Sequence, residues 1–370
     1  MTAPAWHVFT GNGDPHDGWA NVPPPMIART FGGGPVLAAP RTQDAGSRRR
    51  LGAEGIGAHQ LGPGNLDVIN AAIFCRRPLL VTGAPGLGKT SLAYLIAREL
   101  KLGPVLSWPI TSRTTLQDGL YHYDALRRFE EARLPLAVAA AAADTAAATN
   151  PGTNPGTAAA TDADAERGAE ASVADVADYL TLGPLGTALL PWDRPRVLLV
   201  DEIDKADVDL PNDLLHVFED GEFQIPELRR MRVHRPTMRI ATHNDGERVD
   251  VREGLVGCSA FPIVIMTSNG ERDFPPAFLR RCLRLSLDAP GREQLESVVT
   301  AHLGLAAVNE YGDVIDAFLR RRSELGALPA DRLLIAIHII REAGRGGDRL
   351  SREDRAALAR QLMQPLEPTG

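Results

Sequence analysis

Eight consecutive residues constrain the fold of this chain more than any other feature of its sequence. Residues 83–90 read Gly-Ala-Pro-Gly-Leu-Gly-Lys-Thr, which fits the pattern GxxxxGK[ST] in full. The apolar run before them, residues 78–82, predicts a buried parallel strand, and residues 91–102 predict a helix. A strand, a glycine-rich loop and a helix in this order are typical of a phosphate-binding loop. The chain is therefore expected to bind a nucleotide.

The loop residues have separate chemical tasks. Glycines let backbone N–H groups wrap phosphate oxygens, and the following helix presents its positive N-terminus to the same anion. Lys89 is expected to reach the β- and γ-phosphates, and Thr90 to offer its hydroxyl to Mg²⁺. Only three of the 40 basic residues are lysines, so a lysine here is informative. The expected nucleotide-binding residues are Gly83, Ala84, Pro85, Gly86, Leu87, Gly88, Lys89, Thr90 and Ser91.

Two acidic residues follow a second buried strand, which the apolar run at residues 196–200 predicts. Doubly wound sheets bind ligands at the carboxyl ends of their strands. Asp201 is therefore expected to hold Mg²⁺ through water, and Glu202 to act as the general base toward an attacking water. The alternative is an acidic turn with no part in catalysis.

Polar and basic residues follow a third buried strand, predicted at residues 261–266. Asn269 is the candidate to lie between the γ-phosphate and the attacking water, although an Asn-Gly turn is the alternative. Arg280 and Arg281 come next, near an exposed helix end. Arginine stabilises the charge that develops on a transferring phosphoryl group, here on a neighbouring subunit's nucleotide. A solvated basic pair is the alternative.

The pattern along the chain predicts three parts. Residues 1–60 form an extended N-terminal arm, residues 61–288 an α/β nucleotide-binding domain, and residues 289–370 a helical lid domain. Strands that alternate with helices predict a parallel sheet flanked by helices. Residues 135–175 are rich in Ala, Thr, Asp, Pro and Gly, and predict a low-complexity insert. Residues 222–240 predict an arginine-rich hairpin.

Charge and composition exclude several classes of protein. The net charge of −7 argues against non-specific coating of nucleic acid. The three cysteines form no CxxC pair, which fits a reducing compartment. No apolar run approaches the ~20 residues that a membrane span needs. No signal peptide is recognised at the N-terminus. These features predict a soluble, cytoplasmic protein.

Taken together, the motifs resemble those of the MoxR branch of the AAA+ ATPases. The segments GAPGLGKT, LLVDEIDKAD, TSN and AFLRRC occur in the order of that family, and the resemblance covers about residues 61–345. It implies the AAA+ P-loop NTPase fold, with an α/β domain and a C-terminal helical lid. It also implies ATP and Mg²⁺ as ligands, bound through the Walker A and Walker B motifs.

The resemblance further implies an assembly and a role. Bacterial proteins of this type form rings, most often hexamers, with ATP at the subunit interfaces. Arg281 then corresponds to the arginine finger, with Arg280 as second choice, and Arg332 to the second sensor in the lid. Residues 67–70 lie where a base-pocket segment is expected. The implied role is chaperone-like: remodelling or activating a partner protein, often one with a von Willebrand factor A domain.

Two other functions remain open at this point. A nucleotide-gated switch or signalling module, for example in a multi-protein bacterial defence system, would use ATP binding rather than turnover. A nucleic-acid-stimulated motor is suggested by the five arginines of residues 227–239. Because no aromatic residues interleave with these arginines, nucleic acid is the less favoured partner. Remodelling of a protein ranks first.

Overall fold

The computed structural model of the protein describes residues 4, 6–40, 50–51, 61–131, 133, 176–244, 246–325, 328–343 and 351–363. The predicted insert at residues 135–175 lies outside these residues. The chain forms two compact units. The first comprises Met1–Leu116, Ala188–Glu222 and Gly257–Gly370, and the second comprises Gln117–Thr187 and Phe223–Val256. Within the described part of the chain, no helix is long and apolar enough to cross a membrane.

The secondary structure alternates strands and helices in the first half and is helical at the end. The strands are β1 (Leu79–Thr82), β2 (Leu106–Pro109), β3 (Tyr121–Tyr123), β4 (Leu180–Leu182), β5 (Val197–Asp201), β6 (Glu222–Gln224), β7 (Thr237–Ala241), β8 (Arg248–Arg252), β9 (Leu255–Gly257), β10 (Ile263–Ser268) and β11 (Leu283–Ser286). The principal helices are α1 (Pro63–Cys75), α2 (Lys89–Glu99), α3 (Leu116–Leu120), α4 (Pro184–Ala188), α5 (Asp209–Asp220), α6 (Pro226–Met231), α7 (Pro276–Leu279), α8 (Arg292–Leu303), α9 (Leu305–Glu310), α10 (Gly312–Leu325), α11 (Ala330–Ala343) and α12 (Arg352–Leu362).

A five-stranded parallel sheet forms the centre of the first unit, in the order β11-β1-β10-β5-β2. Strands β1, β5 and β10 are almost wholly buried, as expected where helices cover both faces of a parallel sheet. The predicted α/β class is confirmed. The strands predicted at residues 78–82, 196–200 and 261–266 are present as β1, β5 and β10.

Strand β11 was not anticipated from the sequence. It is the edge strand next to β1, and its residues alternate between half-buried or exposed and buried positions. An edge strand with one solvated face has no continuous apolar run, so it lacks the signal that marks the central strands. Its pairing places the turn that follows α7 beside the sheet edge.

The last five helices, α8–α12, pack around an apolar core of their own, which includes Leu295, Phe318, Leu333 and Ile337. Among the described residues after position 288, these five helices form the region that was predicted to be helical. A C-terminal helical region is therefore confirmed. The exact limits predicted for the arm, the α/β domain and the lid stay predictions.

The second unit contains most of a six-stranded sheet in the order β3-β4-β7-β8-β9-β6. The prediction of one arginine-rich hairpin over residues 222–240 is wrong. That segment holds β6, then α6, then β7, and β7 pairs antiparallel with β8 instead. Proline is favourable in the first turn of a helix, where Pro226 lies, and α6 buries Leu228. Both features favour a helix over a strand for this segment.

A buried carboxyl group at the end of α2 binds the backbone of the N-terminal segment. Glu99, the last residue of α2, is fully buried. It accepts hydrogen bonds from the backbone N–H groups of Thr10, Gly11 and Gly13 and from the Thr10 hydroxyl. Buried backbone donors need such partners, because losing one costs about 1–3 kcal/mol.

Replacing Glu99 with alanine should therefore lower the free energy of unfolding by about 3–5 kcal/mol, since several buried donors lose their acceptor together. Urea unfolding followed by circular dichroism measures this change. Glu130 is exposed, so its replacement by alanine is the matched control and should change stability by less than about 0.5 kcal/mol. Equal effects from the two variants would contradict the assignment.

Candidate active site at the phosphate loop

The loop over residues 83–88 joins β1 to α2 at the carboxyl end of the parallel sheet. Gly88 caps α2 with φ 78°. Gly86 has φ +77°, and a Cβ atom there would lie 2.4 Å from the Cβ atom of Pro329. Glycine is thus required at position 86 twice, by its backbone conformation and by the close approach of the segment just before α11.

Lys89 is the first residue of α2, directly after the loop, and is largely buried. Its Nζ atom donates hydrogen bonds to the backbone oxygens of Gly83 and Ala84 and to Asn269 Oδ1, at 2.8, 2.9 and 2.7 Å. Burial lowers the pKa of Lys89 below its ordinary value, and nearby carboxylates, Asp204 foremost, oppose that shift. The lysine is held in place by groups that an anionic ligand can replace.

Asp201 connects two threonines from different parts of the chain. Its Oδ1 atom accepts hydrogen bonds from the hydroxyls of Thr90, at 2.9 Å, and Thr267, at 2.7 Å. The first belongs to α2 and the second to β10. The structure therefore brings together Thr90 and Asp201, which the sequence analysis assigned to one Mg²⁺ site.

Glu202 follows β5 in a left-handed backbone conformation, with φ 61° and ψ 49°. Such angles are unfavourable for a residue other than glycine and cluster at functional sites. Its carboxylate accepts a hydrogen bond from Lys205 Nζ at 2.7 Å, which raises the pKa of Lys205. Lys205 thus pairs with the residue that is expected to act as general base. Both side chains line a cavity of about 620 Å³.

The two arginines lie on the turn after α7. Arg281 Nε pairs with Glu219 Oε1 at 2.6 Å, and both side chains are partly exposed. The backbone oxygen of Arg280 accepts a hydrogen bond from Arg77. Within the described residues, neither arginine contacts the phosphate loop.

Arg332 lies in the first turn of α11, and its backbone N–H donates to the oxygen of Pro329 at 3.1 Å. Because Pro329 approaches Gly86, the start of α11 lies next to the phosphate loop. The structure thereby places Arg332 near the loop, although no contact of its side chain with the loop is seen among the described residues.

A cavity of about 280 Å³ lies beside the loop, and Leu87 of the loop is one of its lining residues. Residues 67–70, where the resemblance leads to the expectation of a base-pocket segment, contact the N-terminal segment. Asp67 binds His7, and Asn70 Oδ1 accepts from the N–H groups of Val8 and Phe9. The lining residues of the cavity are Leu61, Gly62, Gly64, Asn65, Leu87, Leu287, Asp288, Ala289, Pro290 and Gln294.

Two further residues complete the site and were not singled out before. Thr267 is buried and contacts both Asp201 and the backbone of Glu202. Asp204 is also buried, and it accepts hydrogen bonds from the backbone of Asn269. Both occur inside recognised segments, TSN and DEID, but nothing local marks a threonine or aspartate as buried.

The donor set fits a phosphate chain with a hard divalent cation. A lysine ammonium, a helix N-terminus and glycine N–H groups converge on the loop and suit phosphate oxygens. The adjacent hydroxyl of Thr90 and carboxylate of Asp201 are oxygen ligands of the kind that Mg²⁺ prefers. Glu202 and Asn269 place a carboxylate and an amide at the same edge of the sheet.

Comparison with known families agrees with this geometry. Residues 78–282, more than half of the chain, match the family model of the AAA domain, dynein-related subfamily. Comparison with curated protein sequences finds no significant match. The matched region begins just before β1 and ends after the turn that carries Arg281, so it includes every predicted site residue except Arg332.

Proposed function

The chain belongs to the AAA domain family, dynein-related subfamily, and on that premise we propose that it is a Mg²⁺-dependent ATPase of the MoxR type. We further propose that it assembles into a ring, most often a hexamer in proteins it resembles, and remodels or activates a partner protein. The partner class favoured by the resemblance is a protein with a von Willebrand factor A domain.

One observation carries the ATPase proposal. Side chains from three separate motifs meet at one edge of the parallel sheet. Lys89 contacts Asn269, 180 residues away in sequence, and Thr90 contacts Asp201, 111 residues away. Such convergence is what phosphoryl transfer requires, because its catalysis rests on positioning and on electrostatic stabilisation.

The residues of this chain have distinct proposed tasks in hydrolysis. Lys89 exchanges its contacts with the loop oxygens for phosphate oxygens of ATP. Thr90 and Asp201 are the residues that would hold Mg²⁺. When bound, the ion supplies positive charge that neutralises the phosphates. The cavity of about 280 Å³ beside Leu87 is the proposed place of the adenine base.

Glu202 and Asn269 act on the attacking water. The Asn269 amide orients this water, and the Glu202 carboxylate accepts its proton as the water oxygen bonds to the γ-phosphorus. The bond between the γ-phosphorus and the bridging oxygen of the β-phosphate breaks in the same step, and ADP and phosphate leave. The pair between Glu202 and Lys205 is exposed enough to open at little cost, since exposed ion pairs contribute about 0–1 kcal/mol. Lys205 therefore positions the Glu202 carboxylate and leaves it able to accept the proton.

The ring proposal rests on the arginine that the single chain leaves away from its own loop. Arg281 of one subunit is proposed to reach the γ-phosphate bound by its neighbour, with Arg280 as second choice. Glu219 then positions Arg281 until the interface forms. Arg332 is proposed to contact the phosphates from the lid side, where the start of α11 adjoins Gly86.

Steady-state hydrolysis of Mg·ATP over a wide range of protein concentration tests this function. Specific activity should rise with protein concentration, because each site is completed by a second subunit. A parallel mass measurement should show the oligomer appearing over the same range. If activity is absent at every concentration although ATP binds and the oligomer forms, a nucleotide-gated switch replaces the ATPase.

A further inference from the structure

Two buried side chains link the ends of β5 and β10. One link starts from β10 and reaches the end of β5, and the other starts after β5 and reaches the end of β10. The first link begins on β10. The Thr267 hydroxyl accepts a hydrogen bond from the backbone N–H of Glu202 at 2.8 Å and donates one to Asp201 Oδ1 at 2.7 Å. One threonine therefore holds both the backbone of the expected base and the carboxylate that precedes it.

The second link begins on the turn after β5. Asp204 Oδ2 accepts hydrogen bonds from the backbone N–H groups of Asn269, at 2.8 Å, and Glu271, at 3.1 Å. Asp204 is 2% exposed, so these bonds form away from bulk water. A carboxylate that accepts two backbone N–H groups holds the turn that carries Asn269.

The geometry of Asp204 is costly for a purely structural link. Its Oδ1 atom is buried without a hydrogen-bond partner among the described residues. A buried unpaired acceptor is unfavourable, and a carboxylate more so than an amide or hydroxyl. Asp204 is also the foremost carboxylate acting on the charge of Lys89. Asp204 therefore belongs to the site, because it binds the backbone of Asn269 and acts on the charge of Lys89.

The conformation of Glu202 gives the links a task. Its φ of 61° is unfavourable for glutamate and persists only where surrounding contacts hold it. The bond from its N–H group to Thr267 is such a contact. Without the two links, the base and the water-orienting amide would each depend on the conformation of an isolated turn.

We propose that Asp204 and Thr267 form a reciprocal clasp that sets Glu202 and Asn269 at a fixed separation for attack by water. This inference rests on the proposed ATPase function. Both clasp residues are positioning residues, since they act through the backbone of the two groups that face the substrate. The clasp should therefore govern turnover more than nucleotide binding.

Four single variants and one double variant test the clasp. Asp204→Ala and Thr267→Val each remove one link, whereas Asp204→Asn and Thr267→Ser keep an acceptor or a hydroxyl. We expect the first two to lower kcat about 10-fold to 100-fold, and the conservative two to stay within about 3-fold of the original protein. ATP affinity, measured on the Glu202→Gln background to prevent turnover, should change little.

The double variant Asp204→Ala with Thr267→Val separates a clasp from two unrelated contacts. If the two links serve one task, the losses of kcat in the two single variants should not multiply. The double variant should then lose hardly more activity than the worse single variant. Multiplied losses would overturn the clasp. Thermal unfolding of each variant shows whether it is folded, and if Asp204→Ala unfolds, the pair Thr267→Val and Thr267→Ser decides the question.

The outcomes separate this inference from the proposed function. If the original protein hydrolyses ATP and the clasp variants match it, only the clasp is wrong. Equal losses in kcat and in ATP affinity would also overturn it, because they indicate a general disturbance of the site. If the original protein binds ATP without turnover, the ATPase function fails, and the clasp fails with it.

Discussion

Replacing Arg281 with alanine is expected to lower ATP turnover about 1,000-fold while ATP still binds. The reason is that its guanidinium would stabilise charge on the γ-phosphate in the neighbouring subunit. Loss of stability should not explain the effect, because the pair with Glu219 is partly exposed and contributes at most about 1 kcal/mol. Measurements of ATP turnover and of ATP affinity on the same preparation check the expected loss of turnover and the expected retention of binding.

A mixing experiment sharpens this prediction. Arg281→Ala subunits retain Glu202, and Glu202→Gln subunits retain Arg281, so a mixed oligomer contains interfaces with both groups intact. Mixing two inactive proteins should therefore restore turnover. Arg284, exposed on β11, is the matched control, and its replacement by alanine should leave activity within about 2-fold. If Arg280→Ala abolishes activity while Arg281→Ala does not, the finger is Arg280.

Replacing Glu202 with glutamine is expected to lower turnover about 100-fold to 10,000-fold, because the amide cannot accept a proton from the attacking water. The side chain keeps its size, so ATP affinity should be retained. Rapid-quench measurement of hydrolysis and equilibrium binding of ATP check the two statements separately.

Asp207 supplies the control for Glu202. It is an exposed carboxylate five residues further along the same turn region, and its replacement by asparagine should change turnover less than about 2-fold. Unchanged turnover in Glu202→Gln would remove Glu202 from the mechanism. It would also require another base near Asn269.

Much of the nucleotide-binding half could be predicted because its signals are local. The phosphate loop is eight contiguous residues, and the central strands are continuous apolar runs, as burial on both faces requires. The helical character of the region after residue 288 was also predicted from the sequence. These features depend on neighbours in sequence, which a sequence displays directly.

Other elements lacked such signals. Strand β11 is short and half-solvated, so its pattern differs little from that of a loop. Helix α6 has only six residues, and its arginines predicted an exposed hairpin. In each case packing, rather than local propensity, selected the conformation.

Local sequence was sufficient for the choice of fold class and for the residues that should bind and hydrolyse a nucleotide, since their chemistry depends on residue type and short spacing. Packing in three dimensions was needed for the groups that hold these residues in place. Thr267 and Asp204 gain their partners, 65 and 66 residues away, because β5 and β10 are adjacent in the sheet. Gly86 meets Pro329, and Glu99 meets Thr10, for the same reason: buried polar groups and close backbone contacts are satisfied by whatever segment the fold brings near.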